Sequence, residues 1–228
     1  MKLSIVIPVY NEEKTIDEVI RRVQDVDLGG IKKEIIIVDD FSTDRTRAIL
    51  KKIKDKDIRV FYNEKNRGKG ASVREGFSRA TGDFIIIQDA DMEYDLNDYH
   101  KLLQPLLQGK ADVVYGSRFM AKHKARYRLY YLGNLLISLV ASVLFMKRIT
   151  DVETCYKVFR KDVIKSLGLK ANRFELEPEI TAKVVKKGYN IIEVPIHYKC
   201  RSFDEGKKIS WRDGVKAIYY LLKYRFVD

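Results

Sequence analysis

Four nearly unbroken apolar runs, at residues 3–9, 34–38, 57–62 and 84–87, constrain this chain more than any other feature. Each is followed by a segment of helical period, at 13–23, 44–53, 70–80 and 96–107, and a fifth run follows at 112–115. Short apolar strands alternating with amphipathic helices predict a mostly parallel sheet covered on both faces, an α/β architecture of Rossmann-like type. Sheets of this kind bind ligands beyond the carboxyl ends of their strands. Polar clusters stand at those ends: Pro8-Val9-Tyr10-Asn11-Glu12, Asp39-Asp40-Phe41-Ser42-Thr43-Asp44, Asn66-Arg67-Gly68-Lys69-Gly70, Gln88-Asp89-Ala90-Asp91 and Gly116-Ser117-Arg118. Loops are polar in any protein, but a set converging on one rim describes a site.

Asp89 and Asp91 flank one residue where the fourth strand runs out. Two carboxylates this close repel, and a hard cation relieves the repulsion. Mg²⁺ or Mn²⁺ held this way completes its shell with substrate phosphate and water, and Glu93 is within reach of the same ion. The competing reading makes Asp91 the N-cap of the next segment. Asp39, with Asp40 beside it, is a candidate acceptor for a base or ribose. Asp44 reads as the N-cap of 45–53. Gly68-Lys69-Gly70 opens a helix, where free N–H groups and a lysine favour an anion.

Other chemistries find little support. GxxxxGK[ST], GxGxxG and GxSxG are absent, and His100, His123 and His197 are the only histidines. Cys155 and Cys200 make no CxxC pair, which argues against a zinc or disulfide framework and for a reducing cytoplasm. The N-terminus runs directly into a strand and does not read as a signal peptide. A net charge of +12 over 228 residues allows nucleic acid, anionic lipid or phosphorylated small molecules. No nucleic-acid-binding motif supports the first of these.

"IVIPVYNEE", "VDDFSTD", "NRGKG", "DAD" and "GSR", in this order, resemble family 2 of the glycosyltransferases, with its GT-A fold. The resemblance implies a metal-dependent enzyme in which Pro8, Tyr10, Glu12, Asp39 and Lys69 line the nucleotide of a sugar donor. It also implies that Asp89 and Asp91 hold the metal on the diphosphate, with Glu93 near it. Many relatives carry Gln where Glu93 stands.

The second half is strongly basic and holds two further helical patterns. Residues 129–146 carry no charge and are long enough to span a bilayer, but contain Asn134, Ser138, Ser142 and Gly133 and lie between site residues. An interfacial helix is expected, with a buried core helix as the alternative. Residues 211–226 mix aromatics with Lys and Arg, as a headgroup region accepts; a core-closing helix is the alternative. With "DVETCYKVFR", "FELEPEI", "EVPI" and "RSFDEGKK", this half resembles the polyprenyl/dolichyl-phosphate hexosyltransferase branch of the family. That resemblance implies inverting transfer of a hexose, from GDP-mannose or UDP-glucose, to dolichyl or polyprenyl phosphate; a soluble glycan or protein hydroxyl is the alternative acceptor. Where many relatives append transmembrane helices, this sequence stops at Asp228, so membrane contact is expected to rest on the two helices or on a partner. Arg118, Arg128 and Arg201 are expected around the lipid phosphate, with Asp91 in the catalytic set and Arg126 and Lys208 as further candidates. Glu177 or Glu179 is expected to touch the sugar, to act as base, or simply to start a helix. One domain is expected, residues 1–118 serving donor and metal and 119–228 the acceptor, on the cytoplasmic face of a membrane.

Overall fold

The computed structural model describes residues 1–121, 127–202 and 211–227. Its strands are β1 (Lys2–Val9), β2 (Lys32–Asp39), β3 (Ile58–Tyr62), β4 (Phe84–Ile87), β5 (Val113–Ser117), β6 (Lys157–Arg160) and β7 (Ile191–Pro195). They form one sheet in the order β3-β2-β1-β4-β6-β5-β7. Every ladder is parallel except the two made by β6, which runs against both neighbours. The expected mostly parallel α/β sheet is present, and β1 to β5 all end on the same edge.

The continuous apolar runs follow from cover on both faces. In β1, Leu3, Ile5, Ile7 and Val9 enter one core with α1 (Ile16–Asp25) and α4 (Tyr99–Leu107). Val6 enters the other core, beneath α3 (Lys69–Arg79). That second core also takes residues from α5 (Arg128–Phe145), α6 (Lys161–Leu167), α7 (Leu176–Lys186) and α8 (Trp211–Phe226).

Three differences from the sequence expectations matter. The helix expected at 44–53 shortens to α2 (Thr46–Leu50), and the one at 96–107 opens with a 3₁₀ turn, Leu96–Asp98. Asp44 does serve the start of α2, accepting from the Thr46 amide at 2.9 Å. β6, α6, α7 and β7 carried no assignment from periodicity. β6 is four residues long and opens with a fully buried lysine, Lys157, so neither apolar run nor alternation marks it.

Candidate active site

The DAD segment sits on a locked platform. Gln88 is buried, and its Oε1 accepts from the Tyr99 hydroxyl (2.8 Å) and the Tyr156 hydroxyl (2.7 Å). Its amide donates to the Asp89 carbonyl at 2.9 Å, fixing the chain as it leaves β4. Met92 follows at φ 61°, and Asn11 (φ 52°) and Phe41 (φ 65°) occupy the same region past β1 and β2. Left-handed backbone at non-glycine residues is uncommon and concentrates at sites over-determined by their surroundings. Here the surroundings are explicit. The Asn11 amide donates to Ser42 Oγ (2.9 Å), the Thr43 amide to Asn11 Oδ1 (2.8 Å), and the Glu12 amide to Thr46 Oγ1 (2.9 Å), stapling the first two rim loops together.

Asp39, fully buried, accepts from Arg47 Nε at 2.6 Å. The Arg47 guanidinium lies 5.1 Å from the Phe41 ring centroid and 5.5 Å from that of Tyr62. Tyr10, Phe41 and Tyr62 are the exposed aromatics at the ends of the first three strands, beside this carboxylate. Asp40 does something else. It accepts from the Arg67 amide (2.8 Å), the Gly68 amide (2.7 Å) and Asn63 Nδ2 (2.8 Å), so it shapes the loop before α3 rather than facing a base. Gly68 there has φ 94°, and a Cβ would meet the Asn172 carbonyl at 2.5 Å, which is why glycine opens this helix.

Lys69 Nζ reaches Asp89 Oδ1 at 2.6 Å and donates to Cys155 Sγ at 2.7 Å. Burial alone would lower the lysine, but the Asp89 charge raises it well above its ordinary value. Burial would raise Asp89; Lys69, a hydrogen bond from Cys155 and Arg201 lower it. Asp91 behaves oppositely. Burial, then the charges of Asp89 and Glu93, push its carboxyl up to about 7.

Arg201 Nη2 lies 3.2 Å from Asp91 Oδ2, and its Nη1 lies 3.0 Å from Glu12 Oε2. Glu93 holds the segment that carries this arginine: it accepts from the Tyr198 hydroxyl (2.6 Å) and the Arg201 amide (2.7 Å). Capping of the following turn falls to Asp95, which accepts from the Asn97 amide at 3.0 Å, so the N-cap alternative for Asp91 lapses. Among the described residues no three His, Cys, Asp or Glu side chains form a ready-made cation cage. The donor set fits a hard divalent cation in another way. Asp91, whose ionisation is opposed by its neighbours, and Asp89 beside it are oxygen ligands of the kind that bind Mg²⁺ or Mn²⁺ together with phosphate and water.

Arg118 is buried and paired with Asp151, which accepts from its amide (3.0 Å), Nε (2.7 Å) and Nη2 (2.7 Å). The Arg118 guanidinium carbon stands 5.1 Å from the centroid of the Tyr198 ring, three residues before Arg201. Arg128, by contrast, is exposed at the first position of α5, with no contact to either arginine among those described. Arg126 and Lys208 lie outside the described residues. Glu177 pairs with Lys157, and Glu179 accepts from the Lys170 and Ala171 amides, so Glu179 is an anchor for the turn before α7. Sequence reasoning missed Arg47, Asp151, Cys155 and Tyr198. Asp151 and Cys155 stand in the quoted "DVETCYKVFR", but their roles, like that of Tyr198, come from partners distant in the chain, and Arg47 lies on α2 with nothing in its neighbours to mark it.

Comparison with known proteins was consistent across sequence and fold. The family model described as Glycosyl transferase family 2 matches residues 4–168. The chain is 29% identical to the dolichol-phosphate mannosyltransferase of Pyrococcus furiosus over 98% of its own length and 64% of that protein's, so it spans under two thirds of that relative. It is 29% identical to the UDP-N-acetylglucosamine–dolichyl-phosphate N-acetylglucosaminyltransferase of Methanococcus voltae, covering 96% of this chain and 94% of that one. Glucosyl-3-phosphoglycerate synthase from Mycobacterium tuberculosis, solved with Mn²⁺, UDP and glucosyl-3-phosphoglycerate, shares the fold at a TM-score of 0.74 and 22% identity, covering 100% of this chain and 81% of the other.

Proposed function

The chain belongs to glycosyl transferase family 2, with its GT-A fold, and we propose that it transfers a hexose from a nucleotide sugar to dolichyl or polyprenyl phosphate. The observation that carries the reading is the division of charge at the rim. Asp89 and Asp91 offer hard oxygens with Lys69 beside them, while Arg118 stands over the Tyr198 ring and Arg201, three residues on, pairs with Asp91 and Glu12. One side suits a diphosphate with its cation, the other an acceptor phosphate. The two curated relatives described above act, by their names, on dolichyl phosphate.

In this reading Asp39 and Arg47 take the base among the exposed rings of Tyr10, Phe41 and Tyr62. Pro8 and Glu12 line the nucleotide. Lys69 holds the diphosphate and stabilises the charge that grows on it as the glycosidic bond breaks. A divalent cation bound by Asp89 and Asp91 would supply further neutralisation of that leaving group. Arg118, pre-oriented by Asp151, and Arg201 aim the acceptor phosphate in line with the anomeric carbon. Such a phosphate has a second pKa near ~6, so its oxygen attacks without a protein base. A single displacement inverts the anomeric carbon.

Membrane contact is the second part of the proposal. α5 and the Met146 cap that ends it expose Leu129, Leu132, Leu136, Leu139, Val143 and Met146, at alternating three- and four-residue steps, and only 22% of the helix is buried. The neighbouring α8 exposes Val215, Tyr219, Leu222 and Phe226 at the same steps. Exposed Arg128, Arg148, Lys223 and Arg225 flank these stripes, the arrangement an anionic headgroup layer accepts. α5 is long and apolar enough to cross a bilayer, yet it is stitched to the chain before β6. Ser142 Oγ donates to the Ile149 carbonyl (3.1 Å), and Ser138 Oγ accepts from the Val152 amide (3.1 Å). Leaving to span would strip Asp151 from its place, which favours a helix lying in the interface.

The test is incubation of pure protein with Mn²⁺, dolichyl phosphate and labelled GDP-mannose, UDP-glucose or UDP-N-acetylglucosamine, followed by organic extraction. Label in the lipid fraction is expected with one donor. No lipid product with any of them, or equal transfer to a soluble glycan without lipid, rejects the reading.

A further inference from the structure

Three buried polar atoms with no hydrogen-bond partner among the described residues lie together around one loop: Glu153 Oε1 and Thr154 Oγ1 on the chain entering β6, and Glu177 Oε1 on α7. Buried acceptors and hydroxyls left unpaired cost stability, so native structures rarely keep them without a reason. Lys157, the nearest cation, cannot serve them. Its Nζ already donates to the Val152 and Thr154 carbonyls and to Glu177 Oε2, which uses all three of its protons.

The loop is pinned at both ends to the two halves of the site. Asp151, two residues before Glu153, holds Arg118 through Nε and Nη2. Cys155, directly after Thr154, receives Lys69, the partner of Asp89, and its amide donates to the Tyr94 hydroxyl at 3.0 Å. Glu153 is close enough to feel the charge of Arg118, and Glu177 that of Lys69, so the unpaired atoms border the interval between the group assigned to the leaving diphosphate and the group assigned to the incoming phosphate. A hexose bonded to that diphosphate at its anomeric carbon has to occupy this interval, because attack is in line.

We propose that Glu153, Thr154 and Glu177 form the subsite that reads the hydroxyls of the donor hexose. The inference rests on the donor assignment above and adds to it a class of sugar. Carboxyl oxygens accept from ring hydroxyls, and the Thr154 hydroxyl donates or accepts. Burial, then the charge of Glu177, pushes the Glu153 carboxyl up to about 7, so near neutrality it can also donate. Lys157 has no proton left for a further anion, so a hexuronate carboxylate would enter beside two carboxyl groups with no cation of the subsite to pair with. The subsite selects neutral hexoses and disfavours hexuronates.

Calorimetry in the presence of Mn²⁺ tests this on the whole chain, with UDP, GDP, UDP-glucose, GDP-mannose and UDP-glucuronate as probes. Glu153→Leu and Thr154→Val replace unpaired polar atoms by apolar ones, so melting temperatures are expected to hold or rise. Each variant is expected to weaken the preferred nucleotide sugar about tenfold, the effect of one lost hydrogen bond, while the matching nucleoside diphosphate changes less than about twofold. In the wild type UDP-glucuronate binds more weakly than UDP-glucose, and Glu153→Leu narrows the gap. Unchanged nucleotide-sugar affinity in both variants, or equal loss for sugar and nucleoside diphosphate, overturns the subsite while leaving the donor assignment standing. A wild type that binds nucleoside diphosphates but no nucleotide sugar, or neither, overturns both.

Discussion

Replacing Asp151 by Asn tests whether Arg118 is held in place by a buried ion pair. The two side chains are 10% and 0% exposed, and Asp151 accepts three hydrogen bonds from Arg118, through its amide, Nε and Nη2. Asparagine keeps one acceptor oxygen and turns an NH₂ towards a donor, so at least one guanidinium N–H loses its partner and the arginine keeps its charge. Breaking a buried pair in this way costs about 3–5 kcal/mol. For a domain of this size about 1 kcal/mol moves the melting temperature by ~2–4 °C, which gives a fall of roughly 6–20 °C. The assay is thermal unfolding by circular dichroism near pH 7. The double variant Arg118→Leu/Asp151→Leu, which removes both charges, is expected to recover much of that loss. A single variant within about 2 °C of wild type, or a double variant no better than the single, refutes the reasoning. In lipid transfer Asp151→Asn should raise the KM for dolichyl phosphate more than that for the nucleotide sugar.

Lys69→Met removes the cation paired with Asp89 and is expected to lower kcat for lipid transfer by about 10²–10³-fold, the scale for losing one group that stabilises developing charge; a loss under about threefold contradicts the role. Glu34 links Lys2, Ser4, Thr81 and Arg59 at the opposite edge of the sheet. Burial would raise its carboxyl, but hydrogen bonds from Lys2, Ser4 and Thr81 lower it from 4.5 to about 2. A folded-state pKa below the unfolded one contributes stability above pH 4.5 that fades as pH falls towards about 2. Unfolding by urea across that window should show a slope that Glu34→Gln reduces, and identical slopes reject the linkage. Leu132→Asp with Leu139→Asp, both on the exposed stripe, should abolish sedimentation with anionic vesicles and leave the melting temperature within about 2 °C; retained sedimentation removes the interfacial assignment.

Much of this architecture was legible because its strands are buried on both faces. Runs such as Leu3–Val9 and Phe84–Ile87 cannot alternate when both surfaces are covered, and the polar residues that follow them stand where the sheet ends. The rim positions of Asp89, Asp91 and Lys69 were readable for that reason, while the full length of α8 was readable from its own helical pattern. β6 was not, because Lys157 sits at 0% exposure in a four-residue strand and is paid for by Glu177 and two carbonyls supplied from elsewhere. Asp40 was misread for the opposite reason. It lies in a plausible acidic motif, yet its oxygens accept from backbone amides of the loop before α3, 27 and 28 residues on. Glu179, by contrast, stands in the first turn of α7, one of the roles its sequence left open, and accepts from the Lys170 and Ala171 amides just before that helix. The arginines were recognisable by type, but their arrangement was not. Arg118 and Arg201 are brought to one segment by Asp151, Glu12 and Asp91, while Arg128 goes to the exposed start of α5.

The central claim is that a nucleoside diphosphate binds at the end of β4 through a cation held by Asp89 and Asp91. Calorimetry of UDP and GDP, with Mn²⁺ and with EDTA, on wild type and Asp91→Asn tests it most directly. The account predicts binding of one nucleotide to the wild type with Mn²⁺, and at least about a tenfold loss both with EDTA and in the variant. Equal affinity with EDTA, or in Asp91→Asn with Mn²⁺, would contradict it.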